Sequence, residues 1–184
     1  MSQFLWTIGH STRPINEFVS LLNAHGIQQL VDVRTVPRSR HNPQFNTEAL
    51  AQSLPRAAIH YRHSGNLGGL RKAKKDSINL GWRNTSFRGY ADYMQTEQFG
   101  EALEELMAHG KNNKTAIMCA EAVPWRCHRS LIADALVTKD WEIRHIMSES
   151  KADQHRLTPF AIVENGRVYY PKLQDDPPYL YLFP

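Results

Sequence analysis

Cysteine is scarce, with Cys119 and Cys127 the only two among 184 residues. That excludes the disulfide framework of a small secreted domain and leads us to expect reduced thiols in a cytoplasmic setting. A basic start followed by an apolar stretch is also missing, because Gly9, His10, Arg13 and Asn16 interrupt the opening residues. We therefore expect no signal peptide. Every apolar run is only a handful of residues long, which excludes a membrane-spanning helix and makes a membrane partner unexpected. Repeats, low-complexity tracts and linkers are absent too, so a single domain is expected over residues 1–184.

What is present is a globular composition, with 41% hydrophobic and 22% charged residues. A chain of this length buries roughly 70% of its unfolded surface, enough to fold without a disulfide or a metal. The net charge of +4 is unevenly placed. Arg62, Arg71, Lys72, Lys74, Lys75, Arg83 and Arg88 face only Asp76 between them, which leaves the rest of the chain slightly acidic. One basic segment on a near-neutral body suits either an anionic partner at that place or a solubilising loop.

The pattern alternates strands and helices. Phe4–Ile8, Leu30–Val33, Ala58–Tyr61, Thr115–Cys119 and Ile143–Met147 read as strands. Helical spacing runs from Ile15 to His25, from Thr47 to Leu54, from Thr96 to Gly110, and through Leu131, Ile132, Ala135 and Leu136. Ser64 to Gly89 reads as a long basic loop or lid. Asn165-Gly166 between Ala161–Val163 and Val168–Tyr170 predicts a β-hairpin, and residues 171–184 read as an extended strap. Together these predict a three-layer α/β fold with a mostly parallel, Rossmann-like sheet and a C-terminal hairpin.

In such a sheet, ligands bind beyond the carboxyl ends of the strands. Three strand ends carry polar clusters: His10-Ser11, Asp32 with Arg34, and Cys119 with Glu121. If the strands are parallel, these residues share one mouth. Cys119 stands where a strand turns toward a helix, near arginines, a setting that lowers a thiol pKa and makes a nucleophile. Buried free cysteine is also an ordinary small hydrophobe. The loop is one residue too long between Cys119 and Arg126 for a cysteine-phosphatase loop, Pro124 removes an N–H, and Glu121 would repel a phosphate dianion. A phosphatase is therefore not expected.

Cys119, Cys127 and His128, with His10 or Glu121, have the chemistry to surround zinc, although their spacing matches no standard zinc pattern. No cofactor is otherwise expected. A reversible Cys119–Cys127 disulfide is the competing use of the two thiols. Arg34, Arg38 and Arg40 suit a phosphate or carboxylate, or alternatively a salt-bridge network with Asp32 and Glu121. Tyr90 and Tyr93 suit substrate contact or the core.

Several stretches together carry a resemblance. Thr7–Ser11, Val31–Arg34 with Pro37–Arg40, Leu67–Gly69, Gly89–Tyr93 and Cys119–Arg129 resemble the bacterial and archaeal proteins of the domain of unknown function 488 family. The resemblance implies a compact cytoplasmic α/β protein and implies no reaction.

The resulting expectation is an enzyme acting on an anionic, phosphate-bearing substrate, a nucleotide or nucleic acid component. Cys119, Glu121 and Asp32 are its catalytic candidates. His10, Ser11, Arg34, Arg38, Arg40, Arg126, His128 and Arg129 are its anion-binding candidates. The alternative is a non-catalytic nucleic-acid-binding or regulatory module that uses the basic segment with Trp82, Phe87 and Tyr90. Nothing in the sequence specifies an oligomeric state.

Overall fold

A computed structural model describes residues 3–172; the expected strap at 171–184 lies almost wholly outside them. The main sheet contains β1 (Gln3–Gly9), β2 (Gln29–Asp32), β3 (His60–His63), β4 (Thr115–Cys119), β5 (Trp141–Ser148) and β6 (Lys151–Gln154), in the order β3-β2-β4-β1-β5-β6. The first five are parallel and β6 is antiparallel to β5. The mixed α/β architecture with a mostly parallel sheet is as the sequence predicts.

Period-two alternation sends side chains to two cores. On one face Leu5, Val31, Ile117 and Ile143 meet α3 (Thr85–Tyr93), α4 (Glu97–Asn112) and α5 (Arg129–Val137). On the other, Ile8, Leu30, Ala116 and Met118 meet α1 (Ile15–Ala24) and α2 (Thr47–Ser53). Strands β2 and β4 are buried along their whole length, which accounts for the apolar runs Leu30-Val31 and Ala116–Cys119 within them. The chain leaves β1 toward one face and leaves the adjacent β4 toward the other. Their carboxyl ends therefore splay apart and open a crevice, the topological switch point of this sheet.

Several boundaries differ from expectation. Strand β3 begins at His60, not Ala58, because Ala58 is left-handed (φ 56°) behind a 3₁₀ turn at Pro55–Ala57. Helix α4 runs past Gly110 to Asn112, and Gly110 is there because Trp141 packs against it. Strand β6 escaped the pattern because Lys151-Ala152-Asp153-Gln154 is a polar edge strand. The Ser64–Gly89 segment is not one loop: Gly65–Leu67 forms a 3₁₀ turn, and Asn84 caps α3 by accepting from the Ser86 and Phe87 N–H groups. Asp92 pins the stretch between them, accepting from Lys74 N–H, the Ser77 hydroxyl and the Asn79 amide.

The hairpin forms as a separate two-stranded sheet, β7 (Ile162–Glu164) and β8 (Arg167–Tyr169). Asn165 and Gly166 take φ of 51° and 71°, the left-handed pair a two-residue turn requires. Among the described residues no helix is long and apolar enough to cross a membrane.

Candidate metal centre and its cavity

The crevice is a cavity of about 690 Å³, within the range of small-molecule sites. Its wall includes His10, Ser11, Arg34, Arg38, Cys119, Glu121, Arg126 and His128. Backbone bonds from His10 N–H to the Cys119 carbonyl and from Ser11 N–H to the Ala120 carbonyl tie the two loops together. Gly9 permits this approach, since a Cβ there would strike the Glu121 carbonyl. Ser11 itself is left-handed (φ 50°), a backbone conformation that non-glycine residues seldom hold away from functional loops.

Beyond β4 the chain turns through Pro124–Arg126 and folds Cys127 and His128 back over Cys119. The His128 Nδ1 lies 3.9 Å from the Cys119 Sγ and 3.6 Å from the Cys127 Sγ, and all three atoms lie within 4.8 Å of one another. The opposite ring nitrogen, Nε2, donates to the Val33 carbonyl oxygen at 3.0 Å. That bond fixes the tautomer, so Nδ1 presents a lone pair to both sulfurs. Both cysteines are free and buried, not joined in a disulfide. The Cys119 thiol is held well below the ordinary cysteine range, chiefly by the hydrogen bond from Cys127, with the Glu121 N–H and, when its ring is protonated, His128 adding to it against the cost of burial. The same contact pushes Cys127 up.

Two thiols and one imidazole nitrogen at these separations can hold a metal ion. Tetrahedral coordination with metal–sulfur bonds of about 2.3 Å and metal–nitrogen bonds of about 2.0 Å gives S···N edges of about 3.5 Å. A backbone carbonyl on the far ring nitrogen is the usual outer support of a ligating histidine. His10 and Glu121 do not join the triangle.

A second network lies behind the cavity wall. Asp32, fully buried, accepts from the Arg34 Nε at 2.8 Å, the Arg34 Nη2 at 2.6 Å and the Tyr61 hydroxyl at 2.9 Å. Arg34 also donates to the Phe45 carbonyl and, through Nη1, to the His10 Nε2. His10 in turn donates through Nδ1 to the Ser11 carbonyl and stacks on Phe45. Burial lowers its pKa, with Arg34 adding to the effect, so it stands neutral with its N–H already engaged. Burial, then the Asp32 charge, pushes the Tyr61 hydroxyl up to about 12.

The expected site residues therefore separate. Cys119, Glu121, His10, Ser11, Arg34, Arg38, Arg126 and His128 share the cavity wall. Asp32 sits behind it, bound to Arg34. Arg129 is buried beneath the loop, where its guanidinium holds the Glu121 and Ala122 carbonyls. Tyr90 and Tyr93 are core residues whose hydroxyls donate to the Leu67 and Asn66 carbonyls. Arg40 lines a neighbouring cavity instead. Arg34 thus takes the salt-bridge alternative with Asp32, whereas the Glu121 carboxylate accepts, among the described residues, only from the nearby Val123 N–H. Sequence reasoning did not single out Val36 and Leu70, which also line the cavity, although Val36 stands in the loop that follows β2. Trp125, Leu70 and Val36 are 67%, 76% and 59% exposed.

Comparison with curated proteins and with solved structures finds no match. A family model does match, over residues 14–136, and it takes in the motifs from Val31 to Arg129 but not Thr7–Ser11. Covering more than half of the 184 residues, that match places the chain in the family described as Domain of unknown function DUF488.

Proposed function

We propose that the protein is a zinc-dependent enzyme acting on an anionic, phosphate-bearing substrate, with Cys119, Cys127 and His128 as the metal ligands. The triangle of two sulfurs and His128 Nδ1, with Nε2 anchored on the Val33 carbonyl, carries this reading. Mixed sulfur and nitrogen donors suit zinc above the hard divalent ions. Three protein ligands leave a fourth position open, as at catalytic zinc sites, and all three line the cavity. A bound zinc there supplies Lewis acidity and a water acidic enough to ionise near neutral pH.

The chain supplies the rest. Glu121, two residues after Cys119 on the same wall, would accept the proton that such a water gives up. The substrate's negative charge falls to Arg38 and Arg126, since the charge of Arg34 is matched by Asp32, Arg129 is spent on loop carbonyls, and His10 is neutral. The Ser11 and Ser39 hydroxyls complete the polar lining.

Elemental analysis and native mass spectrometry of protein purified without chelators test the reading. One zinc per chain is expected, and Cys119→Ser or His128→Gln abolishes it while circular dichroism stays unchanged. A second reading has one observation in its favour, the depressed Cys119 pKa, which suits a thiolate nucleophile served by His128. A metal-free protein whose Cys119 is alkylated rapidly at neutral pH would establish that reading and dismiss the zinc one.

A further inference from the structure

The main cavity does not end at its own wall. A second cavity of about 600 Å³ adjoins it, lined by Arg38, Ser39, Arg40, Pro43 and Asn46. Arg38 and Ser39 belong to both, so the loop after β2 is the shared wall between the two. No carboxylate lines the second cavity. Among the described residues the one acid engaging these arginines is Glu48, 3.3 Å from Arg38, and both side chains of that pair are largely exposed. An exposed pair of this kind contributes little and yields readily to a phosphate. Arg40 makes no ion pair among the described residues.

The exposed side chains of Leu70 and Val36 line the first cavity together with Arg126, and Trp125, exposed as well, directly precedes Arg126 in the chain. An exposed indole beside Arg126, which makes no ion pair among the described residues, is the composition of a stacking surface for nucleobases, and the aliphatic Leu70 and Val36 add apolar contact. The basic segment from Arg62 to Arg88 reaches this rim through Gly69, Leu70 and Phe87, which line the cavity.

From these observations we infer that the substrate is a single-stranded nucleic acid, not a free nucleotide. One nucleotide enters the main cavity, and the strand continues over Arg38 and Ser39 so that a neighbouring phosphate reaches Arg40. The inference rests on the reading of the cavity as an active site, and it adds the polymer. A lone nucleotide uses only the first cavity and leaves the second without a role. A duplex is excluded because its bases are stacked and paired, and a cavity at the mouth of a sheet can take a base only from a strand that splays it out.

Fluorescence anisotropy with labelled oligothymidylate and oligouridylate tests this, using zinc-loaded protein at low salt. A self-complementary duplex and thymidine monophosphate serve as competitors. Both single strands should bind, with a log–log salt slope of about −2 for three arginine contacts. The mononucleotide should compete at least about tenfold more weakly, because it reaches one cavity only. Arg40→Glu and Trp125→Ala should each weaken oligonucleotide binding about tenfold or more, with zinc content unchanged. Equal affinity for duplex and single strand, or equal competition by heparin, overturns the inference, as does an Arg40→Glu protein that binds normally. Stoichiometric zinc without oligonucleotide binding sinks the polymer and spares the metal site. Oligonucleotide binding by a protein that takes up no zinc sinks the metal site and leaves the groove.

Discussion

His128 Nε2 donates to the carbonyl oxygen of Val33 at 3.0 Å, joining the loop after β4 to the end of β2. The residues are 95 apart in sequence, and the bond aims the other ring nitrogen at two sulfurs. A histidine so held is preorganised, because its tautomer and ring plane are set before any metal arrives.

Gly69 tests that preorganisation. A Cβ at this position would stand 2.5 Å from the His128 Nδ1 and 3.0 Å from its Cε1. Gly69→Ala is compatible with the local backbone, so its effect is steric and confined to the imidazole. We expect zinc affinity to fall about 10- to 100-fold, measured by chelator competition, with a stability loss of about 1–3 kcal/mol. Gly100→Ala is the control: nothing lies within 4 Å of its Cβ, and in the exposed turn of α4 it should be neutral or stabilising by up to about 1 kcal/mol. Unchanged zinc affinity in Gly69→Ala would mean that the ring has room to move.

The Asp32–Arg34 pair predicts a different outcome. Both groups are buried, and Asp32 also receives the Tyr61 hydroxyl. Asp32→Asn preserves shape but strands the Arg34 charge, so urea unfolding should register a loss of about 3–5 kcal/mol. Arg34→Lys should not substitute, because one ammonium cannot reproduce the fork that meets Asp32, Phe45 and His10 together. If Asp32→Asn instead keeps stability and removes only turnover, Asp32 is a catalytic group and not a scaffold for Arg34.

These residues also mark where sequence reasoning reached and where it stopped. The parallel sheet was legible because Thr115–Cys119 and Leu30–Val33 are short apolar runs ending in polar residues, and that also located the mouth. Asp32 beside Arg34 was legible as a pair, being two residues apart. The role of His10 was not, because it depends on Arg34 and Phe45, which reach it from other elements. Cys119, Cys127 and His128 were visible only as an inventory. Their spacing fits no standard metal pattern, and the Pro124–Arg126 turn that closes the triangle acts through backbone geometry. A support such as the Val33 carbonyl leaves no mark in sequence at all, since every residue has one.

The far side of β1 holds the last prediction, a dependence of stability on pH. The Thr7 hydroxyl donates to the His145 Nδ1 at 2.8 Å, the His145 Nε2 to the His155 Nδ1 at 3.0 Å, and the His155 Nε2 to Asp134 at 2.8 Å. The Tyr170 and Thr158 hydroxyls donate to the same carboxylate. This direction of donation satisfies every member with neutral imidazoles. Burial, then His155 and Arg129, lowers the His145 pKa to about 4, against the opposing pull of Asp153 and Asp134. An unfolded chain protonates this histidine near 6.5, so between about 6.5 and 4 the unfolded state binds the extra proton. The contribution is therefore complete above pH 6.5 and is lost as the pH falls toward 4, by up to about 3 kcal/mol. Urea unfolding at stepped pH should show that decline, and His145→Gln should flatten it while lowering stability at neutral pH. A wild-type curve that is level from pH 7 to 4 would mean that His145 is protonated in the fold, with its Nδ1 donating to the Thr7 hydroxyl and the donation through His155 to Asp134 unchanged.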